Sequence, residues 1–172
     1  MKNLLMLLFT MLISMSYGQS IMTDNEIMDE IDYFDMSKNL DDIEGIWSLA
    51  VTRTLTYDGN TYTETEEKYS EWMISRQGSK YVVRPVNDYP TEAFTASFQK
   101  VSKNEYIYKC TFHNPHWGVT THASIVDGYM IQYGYHADDV YLKKVYGNDY
   151  RSDMTLHWAF TWYKIYPKVI KI

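Results

Sequence analysis

The sequence predicts an all-β protein in which about nine short antiparallel strands follow one short N-terminal helix. Three observations support this prediction. From Gly45 onward apolar and polar residues alternate, which is the period of a half-buried strand. Clusters of Asn, Asp and Gly interrupt the alternation at short intervals, as turns do. Tyrosine and tryptophan, which favour strands, occur 17 and 5 times in 172 residues. Such a meander closes as a barrel or stacks as a sandwich.

Residues 1–18 have the organisation of a secretory signal peptide. Lys2 supplies a positive start, residues 4–13 are apolar, and Ser16 and Gly18 put small residues before a cleavage site. The apolar run is shorter than the roughly 20 residues that a membrane-spanning helix needs. We therefore expect cleavage after Gly18 and a secreted or periplasmic mature protein without a membrane span. An uncleaved membrane anchor is the alternative.

Residues 19–42 are predicted to form an acidic, helical leader. Thr23 and Glu26 have the spacing of a capping box, in which each side chain bonds the other residue's backbone N–H. One apolar helix face follows, made by Ile27, Ile31 and Phe34. The spacing predicts a helix near residues 24–36.

The charges of the chain are unevenly distributed. Residues 19–44 carry nine acids and one lysine, whereas residues 45–172 carry thirteen acids and fourteen bases. The acidic leader is most simply a solvated segment. The near-neutral remainder lacks the basic face that nucleic-acid binding requires, so no nucleic-acid partner is expected.

Turn signals divide residues 45–166 into about nine predicted strands with no helix among them. The first strand begins at Gly45 and ends before the hairpin turn at residues 57–60. The other strands are predicted at about 61–75, 80–86, 91–100, 105–113, 119–126, 129–135, 140–146 and 154–166. The short connections favour neighbouring strands that pair in sequence order.

The last predicted strand has one strongly apolar face. That face consists of Met154, Leu156, Trp158, Phe160 and Trp162, and it continues in Lys164 and Tyr166. A buried ammonium is costly unless it is paired, so one interpretation has Lys164 meeting an anion inside the protein. The other, which we favour, has Lys164 reaching solvent at the rim, with its stem along the aromatic rings.

The motif Gly45-Ile46-Trp47, placed after a short acidic helix and before the meander, resembles the first strand of the calycin superfamily, the lipocalins and fatty-acid-binding proteins. The ending Tyr163-Lys164-Ile165-Tyr166-Pro167-Lys168 is similar to the Arg-x-Tyr close of fatty-acid-binding proteins. Both motifs together resemble the small lipocalin-like domains of exported bacterial proteins, and the resemblance spans about residues 43–168.

The resemblance implies an antiparallel meander β-barrel of about eight to ten strands. It also implies that Gly45 and Trp47 form a structural plug at one barrel end, with Lys164 packed across the indole. Lys164 and Tyr166 would then receive a ligand carboxylate. The chain departs from the family pattern in lacking the Thr-Asp-Tyr motif of lipocalins and the helical lid of fatty-acid-binding proteins, and in replacing Arg by Lys.

The abundance of aromatic residues leaves three functional interpretations open. In the first, the barrel mouth binds a small hydrophobic molecule, either neutral or anionic, through Lys164, Tyr166, Trp158, Phe160 and Trp162. In the second, these rings fill the barrel, and the protein is a structural or interaction module. In the third, outward tyrosines form a patch for a carbohydrate or protein partner, namely Tyr133, Tyr135, Tyr141 and Tyr146. A void of a few hundred Å³ would distinguish the first interpretation from the second.

Histidines around residues 110–122 offer a metal-binding or hydrolytic alternative. His113, His116 and His122 flank a predicted hairpin, and three imidazoles would suit zinc or copper. The spacing matches no strong metal motif, so exposed strand histidines are the simpler interpretation. No Gly-x-Ser-x-Gly motif occurs, and Cys110 has no recognisable catalytic companion. We therefore predict a monomeric, non-enzymatic protein with no catalytic residue and no cofactor.

Overall fold

The protein folds as a closed antiparallel barrel of eight strands, in which each strand pairs with the next and the last pairs with the first. The computed structural model describes residues 21–86, 94–113 and 116–167, without the side chains of residues 112–117. The predicted signal peptide lies outside the described residues. The predicted all-β meander barrel with one short helix before it is confirmed.

Among the residues that the structure describes, two helices and a short 3₁₀ turn accompany the strands. In chain order the elements are α1 (Asp24–Met36), β1 (Gly45–Tyr57), β2 (Asn60–Gln77), β3 (Lys80–Pro85), β4 (Phe94–Lys100), β5 (Glu105–His113), β6 (His116–Val126), β7 (Tyr129–His136), α2 (Asp139–Tyr146), the 3₁₀ turn (Gly147–Asp149) and β8 (Thr155–Tyr166). In the described part of the chain, neither helix is long and apolar enough to cross a membrane.

Helix α1 begins at the predicted capping box and packs outside the barrel. The Thr23 backbone N–H donates to the Glu26 carboxylate at 2.8 Å, and the Glu26 N–H donates to the Thr23 hydroxyl. Phe34 is buried against Ile46 and Met73, which lie on the outer face of β1 and β2. The helix therefore buries its one apolar face on the sheet rather than in the barrel.

The barrel has two different ends. At the first, which we call the α1 end, residues 41–44 cross from β8 to β4. There Ile43 joins the buried core, the Asp42 carbonyl accepts from Lys164, and the Asp41 carboxylate meets Lys100. At the other, the α2 end, helix α2 lies between the β1–β2 hairpin and the strands β6 and β7.

The prediction of a ninth strand at residues 140–146 is wrong, because this segment forms α2. Asp138 caps the helix by accepting a hydrogen bond from the Tyr141 N–H at 2.7 Å. Leu142, only 1% exposed, is the residue that anchors the helix in the barrel core. An eight-residue helix is not stable alone in water, so tertiary packing determines this conformation.

Gly45 is expected to be essential for joining β1 to β8. Its φ of +143° suits glycine, and a Cβ there would lie 2.1 Å from the Tyr166 carbonyl oxygen. We expect Gly45→Ala to lower the free energy of unfolding by about 2–4 kcal/mol, measured by chemical denaturation. Gly78→Ala is the matched control, since its φ is also positive but its Cβ would meet nothing within 4 Å. Equal losses in the two variants would refute the role of the close approach.

Candidate functional site

Trp47 lies at the centre of the α1 end. Its side chain is fully buried, and its indole Nε1–H donates to the Ile43 carbonyl at 2.8 Å. The Lys164 Nζ stands 5.3 Å from the centroid of the Trp47 ring, within the range of a cation–π contact. The Trp47 indole and the backbone at Ile43 thus close this end of the barrel together.

Lys164 and Tyr166 are engaged by protein groups at the same end. The Lys164 ammonium donates to the Asp42 carbonyl at 2.8 Å, and burial lowers its pKa from the ordinary lysine value. The Tyr166 hydroxyl donates to the Asp35 carboxylate of α1. Their predicted role as receivers of a ligand head group stays a prediction, and a ligand would have to displace these partners.

Acidic side chains complete the α1 end. Glu44 is 1% exposed, and its carboxylate accepts from the Asp41 N–H at 2.9 Å and from the Tyr33 hydroxyl at 3.4 Å. Burial opposes ionisation of Asp41, but hydrogen bonds from Lys100 and Tyr81 outweigh it, so the Asp41 pKa is lowered. These groups hold residues 41–44 across the barrel, which makes this end a structural closure.

The barrel interior is mostly filled by side chains. A cavity of about 70 Å³ remains, bordered by Trp72, Phe160, Trp162 and other apolar residues. The Trp162 ring lies 6.3 Å from Trp72 and 6.0 Å from Phe98, so the rings interlock across the core. A space of this size holds a few water molecules and is well below the several hundred Å³ of small-molecule sites.

Gln132 is a polar residue in the wall of this cavity. Its side chain accepts from the Trp162 indole at 3.1 Å and donates to the Thr121 hydroxyl at 3.2 Å. An indole N–H only donates, which fixes the amide oxygen toward Trp162. Cys110 lines the same cavity, and burial raises the pKa of its thiol to about 11. The thiol is therefore protonated at neutral pH and is a poor nucleophile.

Two clefts flank α2 at the other end of the barrel. The larger, which we call the β6–β7 cleft, has a volume of about 550 Å³. It is lined by Gly118, Val119, Thr120, Tyr135, His136, Ala137, Asp138, Val140, Tyr141, Lys144 and Trp158. The smaller, the hairpin cleft, has a volume of about 400 Å³ and lies between α2 and the β1–β2 hairpin, with Arg53 and Glu64 among its lining residues.

Aromatic rings connect the two clefts with the interior. Trp158 lines both clefts, and its ring lies 5.0 Å from Tyr135 and 5.2 Å from Tyr141. Tyr135 in turn stacks on Phe160 at 5.7 Å and separates the β6–β7 cleft from the interior cavity. The structure thus brings Trp158, Phe160 and Trp162 together with the cavity and clefts, but it places Lys164 and Tyr166 at the opposite end.

Three of the four predicted outward tyrosines are cleft residues instead. Tyr135 and Tyr141 line the β6–β7 cleft, and Tyr146 lines the hairpin cleft. Only Tyr133 of the four is largely exposed, at 61%. The predicted outer patch of Tyr133, Tyr135, Tyr141 and Tyr146 is therefore wrong as a set. The capping residue Asp138 is the sequence signal that could have placed the last two on a helix.

The three candidate metal-binding histidines do not meet. His113 and His116 are cross-strand partners, but His122 pairs with Ile107. His122 is six residues from His116 along β6, which corresponds to about 20 Å of strand. The strand register therefore keeps His122 apart from the other two histidines of the predicted hairpin. Within the described residues, no group of three or more His, Cys, Asp or Glu side chains could hold a metal ion.

Comparisons with protein-family models, with curated proteins and with solved structures find no match to the chain. The functional assignment therefore rests on the geometry of the two ends. One end is closed by internal contacts, and the other carries two clefts lined by aromatic and polar side chains.

Proposed function

We propose that the protein is an exported, lipocalin-like barrel that binds a small amphipathic molecule in the β6–β7 cleft. The observation that carries this proposal is a cleft of about 550 Å³ with a mainly apolar wall and a few polar groups. Small-molecule sites are typically concave spaces of roughly 300–1,000 Å³ with this kind of lining. The interior, at about 70 Å³, is too small for such a ligand.

The apolar body of the ligand would contact Tyr135, Tyr141 and Trp158. These rings meet at tilted or edge-on angles, so their faces and edges form a wall rather than a stack. Burying apolar ligand surface against such a wall gives roughly 25 cal/mol per Å². Trp158, 9% exposed, is already held by its neighbours, so little ordering is required on binding.

The polar head of the ligand would be received by Lys144 and His136. Lys144 is exposed, lines the cleft, and takes part in no ion pair within the described residues. Asp138 also lines the cleft, but its carboxylate accepts from the Tyr141 N–H and holds α2 in place. An ammonium without a carboxylate partner favours an anionic head group.

A probe-binding experiment tests the cleft. We expect 1-anilinonaphthalene-8-sulfonate, which combines aromatic rings with one anionic group, to bind with a rise in fluorescence. Val140→Trp should reduce its affinity about tenfold or more, because Val140 lines the cleft and a larger ring there occupies its volume. Val126→Trp, at an exposed position at the opposite end of the barrel, is the matched control. Equal affinity in both variants would contradict the proposed location.

The anionic head is tested with a second probe. We expect Lys144→Met to weaken the sulfonate probe several-fold while leaving the uncharged N-phenyl-1-naphthylamine unaffected. Lys143→Met is the control, since Lys143 contacts the Tyr150 ring instead of the cleft. A loss seen only with Lys164→Met would instead support the head group at the α1 end. Native mass spectrometry of protein from its own host would identify the natural ligand.

A second candidate function is an interaction module with a filled barrel. The small interior cavity favours it, as does an exposed apolar strip on β7 and β8 formed by Tyr129, Ile131, Tyr133 and Tyr163. Two of these rings, Tyr129 and Tyr163, contact each other at 5.4 Å. If neither probe binds and no molecule co-purifies, this function would take precedence over ligand binding.

A further inference from the structure

We propose that His136 and His157 form a binding site for a divalent transition-metal ion, with Cu²⁺ bound most tightly. The two residues are cross-strand partners on β7 and β8 at the α2 end. Their ring centroids are 4.8 Å apart, and the ring planes meet at 49°. This pair is separate from the hairpin histidines considered from the sequence.

The ring separation suits chelation by two imidazoles. With a metal–nitrogen distance of about 2.0–2.1 Å, the metal lies about 3.2 Å from each ring centre. A centroid separation of 4.8 Å then corresponds to a nitrogen–metal–nitrogen angle of about 100°. That angle lies between those of square-planar and tetrahedral ligands, and each ring can turn about its own metal–nitrogen bond.

The bulge in β7 at Gly134 positions the His157 ring. The pairing of β7 with β8 shifts register between Gln132 and Tyr135, and this bulge brings Gly134 against β8. A Cβ at Gly134 would lie 1.7 Å from the Trp158 carbonyl oxygen and 2.6 Å from the His157 Nε2. The His157 ring therefore occupies the space above the glycine. A ring that is already positioned loses little freedom when it binds a metal.

The imidazole nitrogens are available for a metal. Within the described residues, neither ring has a hydrogen-bond partner or an ion pair; the rings contact each other, and the His157 ring also lies against Gly134. A neutral imidazole has one nitrogen lone pair that can bind a metal. The nearest acidic side chain in the sequence, Asp138, caps α2 instead. The protein would thus supply two ligands and leave the remaining positions to water.

The chemistry of the ligands determines the metal class. Imidazole suits copper, nickel and zinc, whereas Mg²⁺ and Ca²⁺ prefer oxygen ligands. For a given set of nitrogen ligands the affinity of divalent ions is highest for Cu²⁺. The order of affinity expected at this site is therefore Cu²⁺ above Ni²⁺ and Zn²⁺, with no binding of Mg²⁺.

Titration of the untagged full chain with CuCl₂ tests the site. We expect one Cu²⁺ bound per chain by calorimetry, with coupling to two imidazole nitrogens in the electron paramagnetic resonance spectrum. His136→Asn and His157→Asn should each weaken binding by about tenfold or more, and the double variant little further, because either change destroys the chelate. His122→Asn, at an exposed position on β6, is the matched control and should bind as wild type does.

Several outcomes would overturn the proposal. These are the absence of saturable Cu²⁺ binding, wild-type affinity in His136→Asn, and a loss of binding in a His113→Asn/His116→Asn variant that equals the loss in the proposed pair. His157 is half-buried, so its variant is checked for folding by circular dichroism. His136 is exposed, so His136→Asn still tests the proposal if His157→Asn fails to fold. His136 also lines the β6–β7 cleft, but the titration is run without any cleft ligand, so its outcome is distinguishable from that of the probe experiments.

Discussion

Trp47→Ala is expected to lower the free energy of unfolding by about 3–5 kcal/mol, the range for truncating a large buried aromatic side chain. Trp47 is fully buried, joins the main core, and lies directly beneath the Lys164 ammonium. Its removal would leave a cavity at the α1 end and would free the chain at Ile43. We therefore expect the loss to include both packing and the anchoring of residues 41–44.

Two further variants separate these contributions. Trp47→Phe keeps most of the ring but removes the donor to the Ile43 carbonyl, which should cost about 1–3 kcal/mol if that carbonyl stays buried and unpaired. Lys164→Met keeps an apolar stem over the indole while removing both the cation and the donor to the Asp42 carbonyl. If stability is unchanged in this variant, the ammonium contributes no net stabilisation to the closure.

Denaturation by guanidinium chloride, followed by circular dichroism, measures these losses. Tyr133→Ala is the control, because Tyr133 is an aromatic residue of the same barrel with a largely exposed side chain. We expect its midpoint to remain close to that of wild type. A Trp47→Ala midpoint that matches the Tyr133→Ala midpoint would show that the α1 end does not depend on the indole.

Helix α1 and strand β8 were the more predictable elements of the molecule because their sequence signals are local. The capping box at Thr23 needs four consecutive residues, and the inward face of β8 is a plain alternation over residues 154–166. The helix bounds agree with the prediction, and Leu156, Trp158 and Trp162 are buried as the alternation requires. Local patterns of this kind do not depend on which elements meet later in folding.

The α2 end could not be predicted because its geometry depends on a bulge and on a short helix. Counted by strict alternation from Met130 and Gln132, which point inward, Tyr135 would point outward. The register shift between Gln132 and Tyr135 reverses this direction, so Tyr135 faces the cavity and Trp158. The alternation of Val140, Leu142 and Tyr146 likewise fits a strand, while the buried Leu142 and the Asp138 cap stabilise a helix.

Leu142→Ala is expected to release α2 from the barrel. Alanine has the higher helix propensity, so the substitution removes packing without weakening the helix intrinsically. Truncating a buried leucine typically costs about 2–5 kcal/mol of stability. A helix of eight residues is not stable by itself in water, so it cannot compensate for this loss. Because the barrel strands pair without α2, the helix should detach locally while the rest of the fold persists.

Hydrogen exchange with residue resolution measures this release. We expect the amides of residues 141–146 to exchange much faster in Leu142→Ala than in wild type, with no change in β4 and β5. Probe affinity should fall in parallel, since Tyr141 forms a wall of both clefts. Val145→Ala is the matched control on the same helix, with a side chain that is 52% exposed. Unaltered protection of α2 in Leu142→Ala would mean that the Asp138 cap and the contact of Tyr141 with Trp158 suffice to hold the helix.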